Sequence, residues 1–113
     1  MENYPDTHDK ELIKAFSRLK SEKEIQNFLR DILTLGEIKE ASKRFYIATL
    51  LWQGGMSYAT IAEKAKTSTT TVTRVADWLF KKGLNGYQTV LKRLYPKSRK
   101  SPPTKGSLKV FPK

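Results

Sequence analysis

Four consecutive hydroxyl side chains, Ser68-Thr69-Thr70-Thr71, with Thr73 and Arg74 close behind, form the densest set of chemically useful groups in this chain. Threonine is a middling choice for a purely structural helix, because its β-branch restricts rotamers and its hydroxyl competes for the backbone. It is well suited to meeting double-stranded DNA. The hydroxyl can bond a phosphate or a base edge, and the methyl can meet the thymine methyl. The plain alternative is a helical hairpin whose exposed face happens to be polar. Catalytic groups are scarce by comparison. The only histidine is His8, cysteine is absent, and no Gly-rich phosphate loop is present. Without cysteine there is neither a disulfide framework nor a thiolate metal site. The acid pairs Glu22/Glu24 and Glu37/Glu40 fit helix starts better than acid–base couples. No enzyme activity, cofactor or metal is therefore expected.

The hydroxyl run needs a frame, and Ser57 to Phe80 supplies one as two short helices joined by a turn. Ser57 is a good N-cap, since its hydroxyl can accept an orphan backbone N–H. Ile61, Ala62 and Ala65 then share one face. Lys66-Thr67 forms the turn, and Ser68 or Thr67 caps the second helix. In that helix Val72, Val75 and Leu79, with Trp78, mark an inward face at helical spacing. Thr69, Thr70, Thr73 and Arg74 fall opposite. A helix-turn-helix offers its second helix to the major groove N-terminal end first, and that end of the helix dipole favours phosphate. The expected DNA-binding set is Ser57, Tyr58, Lys66, Ser68, Thr69, Thr70, Thr71, Thr73 and Arg74.

The charge is placed where this reading needs it. The 113 residues carry a net +11. Residues 1–63 balance at −1, whereas residues 64–113 balance at +12 with Asp77 as their single acid. A cationic excess that begins at the reading helices is an electrostatic footprint for a polyanion. The longest apolar run, Phe45 to Trp52, is too short to span a bilayer. No signal-peptide pattern opens the chain. A soluble, cytoplasmic, nucleoid-associated protein with no membrane partner is expected.

The length suits one domain. Residues 1–6 read as a disordered lead-in, residues 7–95 as an all-α domain with the helix-turn-helix at 57–80, and residues 96–113 as a disordered basic tail. The first helix is predicted from Thr7 to Lys20, with Leu12, Ile13, Phe16 and Leu19 on one stripe. Ser21 and Glu24 have capping-box spacing, in which Glu24 would reach back to the Ser21 N–H. Ile25, Phe28, Leu29 and Ile32 follow at helical spacing. Thr34 and Glu37 repeat the capping box before a third helix that runs to Gln53. Its segment 45–52 is apolar almost all round and must be covered on every side, which leads to the expectation of a second subunit. Gly54-Gly55 ends that helix. Lys81-Lys82-Gly83 and Asn85-Gly86 are turn signals. A last helix over Tyr87–Leu94 places Tyr87, Val90, Leu91 and Leu94 on one side. The tail carries six Lys/Arg and four prolines, and reads as a basic arm on phosphates or as a solubilising extension.

The order of these elements resembles the tryptophan-repressor family, most closely its YerC/YecD-like branch. The likeness rests on the Thr34-Leu-Gly-Glu-Ile start, GGMSYATIAEKA, STTTVTRV and GYQTVLKRL, over roughly residues 30–95. It implies six helices per subunit, an intertwined homodimer with the helix at 35–53 in the interface, and DNA reading by the fourth and fifth helices. Thr69, Thr70 and Thr73 would face bases, and Tyr58, Ala59 and Ala62 would lie along the first reading helix. Lys66 stands where such motifs usually carry glycine in a left-handed conformation. The resemblance also implies effector-pocket positions at Thr34, Arg44 and Arg74. Val75 and Trp78 replace the glycine and serine that make room for a tryptophan ligand there. They are expected to occlude the pocket, so tryptophan is not expected as corepressor.

The sequence thus points to a homodimeric transcriptional regulator of the repressor type that binds double-stranded DNA, with any small-molecule effector unknown. Two other readings stand beside it. One is the DNA-targeting subunit of a mobile-element (transposase-type) system. The other is a basic RNA- or ribosome-associated helical protein, for which Tyr58 is the obvious stacking platform.

Overall fold

Six helices account for most of the described backbone, and the first five begin where a polar side chain takes an orphan N–H, whereas the last starts at a left-handed Asn85 without such a cap. The computed structural model describes residues 3–96. The basic tail from residue 97 onward, and residues 1 and 2 of the lead-in, lie outside the described residues. The helices are α1 (Thr7–Ser17), α2 (Glu22–Ile32), α3 (Leu35–Gln53), α4 (Tyr58–Ala65), α5 (Thr69–Asp77) and α6 (Gly86–Leu94), with a single π-helical turn at Trp78–Lys82. The chain divides into two compact units, Met1–Lys39 and Glu40–Lys113.

In the first unit the helix starts are local and strong. Asp6 caps α1 in a reciprocal box, accepting from the Asp9 N–H at 2.8 Å while Asp9 accepts from the Asp6 N–H at 3.0 Å. The helix stops at Ser17 rather than Lys20. There the Ser17 hydroxyl donates to the Lys14 carbonyl, and the Arg18 and Leu19 N–H groups tighten onto carbonyls three residues back. Ser21 accepts from the Glu24 N–H at 3.1 Å, but the Glu24 carboxylate reaches one residue further than expected, to the Lys20 N–H at 2.7 Å. The Thr34/Glu37 box forms in both directions, at 3.1 and 2.9 Å. Phe16 and Phe28 join α1 to α2 edge to face, with ring centroids 5.1 Å apart, a geometry that favours aromatic pairs. Neither helix buries a single residue. Leu12, Ile13, Ile25 and Ile32 all remain exposed.

The second unit holds the core. Ile47, Ile61, Val72, Leu79 and Leu91 are its largest fully buried side chains, one each from α3, α4, α5, the π turn and α6. Residues 47–52 of α3 are buried without exception. Of the run at 45–52, one chain thus covers residues 47–52, while Phe45 is half-buried and Tyr46 stays exposed, so most of the over-apolar stretch needs no second subunit to cover it. Thr49, the buried polar residue of this stretch, donates its hydroxyl to the Phe45 carbonyl. Gly54 and Gly55 end α3 at φ 77° and 86°, a conformation glycine adopts without steric cost. In α6 the apolar stripe is narrower than predicted. Leu91 is fully buried and Tyr87 half-buried, whereas Val90 and Leu94 stay exposed.

Candidate nucleic-acid interface

The two reading helices are held by caps at both ends. Ser57 accepts from the Thr60 N–H at 3.1 Å and donates its own hydroxyl to Thr60 Oγ1 at 3.0 Å. α4 ends on Lys66 in the left-handed conformation, φ 58° and ψ 52°, and the Thr67 N–H returns to the Ala62 carbonyl at 2.9 Å. This is a Schellman-type closure, and glycine is the residue that usually makes it. A side chain in this conformation costs about 1–2 kcal/mol, part of which glycine's greater unfolded freedom would offset. Lys66→Gly is therefore expected to stabilise the fold by about 0.5–1 kcal/mol, read as a raised thermal midpoint. A lowered midpoint would show that the lysine side chain makes contacts that outweigh the strain.

The hydroxyl run divides by what each hydroxyl already does. Ser68 caps α5 by accepting the Thr71 N–H at 3.1 Å, and its oxygen lies 3.2 Å from Thr71 Oγ1. Thr73 donates to the Thr69 carbonyl at 3.0 Å. Among the described residues no partner holds the hydroxyls of Thr69 and Thr70. At about 100° per residue, Thr70 and Arg74 stand opposite the buried stripe of Val72, Val75 and Ala76. Both are exposed, as are Lys66, Ser68, Thr69 and Thr73. Arg74 forms no ion pair among the described residues, and neither does Arg44. The salt bridges one might expect to Glu40 or Asp77 are absent there.

Three residues named for the reading helices are less exposed than the others, with Ala62 buried and Tyr58 and Thr71 half-buried. Ala62 is buried in the core, because α4 turns its Ile61-Ala62-Ala65 stripe inward. The Tyr58 ring packs against that core. Its removal from water, with a smaller contribution from the Asp77 carboxylate, pushes the Tyr58 hydroxyl up to about 12. Thr71 is half-buried and lines a cavity behind α5. Lys81 and Lys82, on the π turn, are exposed cations that the motif-based reading passed over. Their signal was present in the charge asymmetry but not in any motif.

The cavity has a volume of about 600 Å³, and Glu40, Arg44, Thr71, Arg74, Val75, Trp78, Leu84 and Tyr87 are among the residues that line it. Burial raises the Tyr87 hydroxyl, while the Arg44 guanidinium pulls it the other way. The expected occlusion by Val75 and Trp78 is not what forms. Val75 belongs to the core, at 5% exposure, whereas Trp78 is 54% exposed and forms a wall of the space instead of filling it. Trp78 lies about 100° round the helix from the buried stripe, so the inward face predicted for it is wrong. The π turn begins at this residue and is secured from α6 by the Gln88 side-chain amide, which donates to the Leu79 carbonyl at 2.8 Å. Gly83 completes the turn with its backbone so close to the Trp78 carbonyl that a Cβ would overlap it. Thr34, the remaining effector position, caps α3.

Compared with known proteins, residues 8–95 match the family model of the Trp repressor protein. The chain belongs to the Trp repressor family. A crystal structure of a TrpR-like protein from Eubacterium eligens ATCC 27750 is similar at 34% identity and a TM-score of 0.73, over 85% of this chain and 96% of that one. A Staphylococcus aureus protein described as a candidate Trp repressor is similar at 31% identity and a TM-score of 0.73, over 83% of this chain and 92% of that one. No curated protein matches the chain. Membership in the Trp repressor family makes the chain a helix-turn-helix DNA-binding regulator. No helix of the described residues is long and apolar enough to cross a membrane. The described residues also contain no His/Cys/Asp/Glu cluster that could hold a metal ion.

Proposed function

We propose that this protein is a sequence-specific transcriptional regulator, of the repressor type, that binds double-stranded DNA as a homodimer in the cytoplasm. The observation that carries this reading is the outward face of α5. Thr70 and Arg74 stand there exposed and without side-chain partners among the described residues, on a helix whose start is firmly capped. Lys66, Lys81 and Lys82 add cations on the adjoining turns. Dimer formation is supported by the first unit, whose helices leave Leu12, Ile13, Ile25 and Ile32 to solvent and whose α2 borders an apolar groove at Ile25, Leu29 and Ile38. Apolar stripes of this kind need a partner surface. Operation without tryptophan is supported by the packing of α5, which is anchored within the chain by its caps, its buried stripe and the Gln88 bond to the π turn.

Site selection from a random DNA pool tests all three points when run at near-physiological salt with and without millimolar tryptophan. A two-fold symmetric motif with half-sites about one helical turn apart is expected, unchanged by the amino acid. A motif that emerges only with tryptophan would overturn ligand independence. Asymmetric binding to mobile-element ends would favour the targeting-subunit reading. Binding without a motif that collapses as salt rises would reduce the interaction to charge alone.

One observation supports a second reading. The exposed Trp78 indole next to Lys81 and Lys82 offers single-stranded RNA a stacking surface with cations beside it, more than Tyr58 alone provides. RNA that competes with the selected duplex at equal concentration would favour that reading.

A further inference from the structure

Within the recognition helix the side-chain hydrogen bonds separate two kinds of threonine. Thr73 is exposed, yet its hydroxyl proton is spent on the Thr69 carbonyl at 3.0 Å. That bond holds χ1 and leaves an oxygen that can only accept. The part of the side chain still free of any polar commitment is the methyl. Thr70 is the converse case. It lies at the outward pole of α5, exposed, with its hydroxyl proton unclaimed among the described residues. Ser68 and Thr71 are engaged with each other, and Thr71 is turned partly towards the cavity. Five neighbouring hydroxyls therefore do not form five equivalent reading groups.

We infer that Thr73 selects for thymine through its methyl group, while Thr70 is the hydrogen-bond donor of the pair. This assignment rests on the DNA-binding reading above. The chemistry of the major groove makes it specific. A hydroxyl donor finds acceptors on G, A and T alike, and so discriminates weakly. A methyl offered to the groove is matched only by the C5-methyl of thymine. Base preference at α5 should then come more from Thr73 than from the more prominent Thr70. With its proton spent, the Thr73 oxygen can only accept, from adenine N6 or cytosine N4, so its methyl is the group that can mark thymine.

Two near-isosteric substitutions at each position separate the groups. Thr73→Val keeps the methyl and removes the hydroxyl, and Thr73→Ser does the reverse; Thr70→Val and Thr70→Ser serve as the matched pair. Each variant would first be checked by its melting curve and then put through site selection. Its affinity would also be measured on the selected duplex with single thymines replaced by deoxyuridine. Thr73→Val should keep the thymine preference. Thr73→Ser should flatten it at one position per half-site, by about fourfold, the effect of one buried methyl. The same fourfold loss should follow deoxyuridine substitution for the parent protein and vanish in Thr73→Ser. At position 70 the roles reverse: Val weakens binding and Ser does not. A thymine preference that survives Thr73→Ser, or is lost in Thr73→Val, overturns the assignment while leaving the DNA reading intact. Failure of the parent protein to select any motif overturns both.

Discussion

Leu91→Ala should destabilise the protein by about 2–5 kcal/mol, the range for truncating a fully buried leucine. Leu91 is at 0% exposure and is the one buried residue of α6. α6 in turn supplies Gln88, which secures the π turn, and Tyr87, which walls the cavity behind α5. The loss is therefore expected to reach further than the void itself. Loosening α6 frees the C-terminal end of the recognition helix as well. Domains are commonly stable by only about 5–15 kcal/mol, so this change removes a large part of the margin. Denaturant titration provides the measurement, and Leu94→Ala provides the control. Leu94 occupies the same helix at 56% exposure and should cost within about 0.5 kcal/mol. Equal midpoint shifts for the two variants would mean that α6 is not seated by Leu91.

Arg74→Ala should weaken DNA binding by roughly 1.5–3 kcal/mol, the loss of one charged hydrogen bond. Arg74 follows Thr70 by one turn on the outward pole of α5 and is not neutralised by any acid among the described residues. On the proposed reading, in which α5 enters the groove by its N-terminus, Arg74 would meet the phosphate backbone past the first turn. The loss is thus expected on selected and unrelated duplexes alike, with the slope of log affinity against log salt falling by about one. Comparing the two duplexes across a salt series checks this. A penalty confined to the selected duplex would instead make Arg74 a base reader. Thermal denaturation should be nearly unaffected, because an exposed arginine without an ion pair contributes little to the folded state.

The two variants probe different layers of one device. Leu91 acts through packing, from the core through α6 to the π turn. Arg74 acts at the surface, through charge. Between them lies Trp78, held on the rim of a cavity bordered by both Arg44 and Arg74. Any ligand entering this space would touch the recognition helix directly at Thr71, Arg74 and Val75.

What the sequence determined by itself was local. Asp6, Ser21, Thr34, Ser57 and Ser68 all end up adjoining helix starts, with side-chain bonds to an N–H three residues on. Such contacts depend on sequence separation and backbone geometry, so spacing is enough to read them. The stripe of Val72, Val75 and Leu79 was legible for the same reason, whereas the left-handed position of Lys66 was implied only by the family resemblance. The candidate reading set was legible only as a group. Which hydroxyls are spent, and which are free, depends on rotamers that residue type does not specify. Tertiary structure alone decided the rest. The π turn that begins at Trp78, with its Gln88 and Gly83 contacts, was not legible in the sequence, although Trp78 stands off the buried stripe by its helical position alone. Tyr58 and Ala62 turned towards the core because α5 covers that face of α4. The cavity unites α3, α5 and α6, which adjoin only once folded. Coverage of the apolar run at 47–52 was likewise a matter of how many neighbours one chain could bring to it, and that number is a property of packing rather than of pattern.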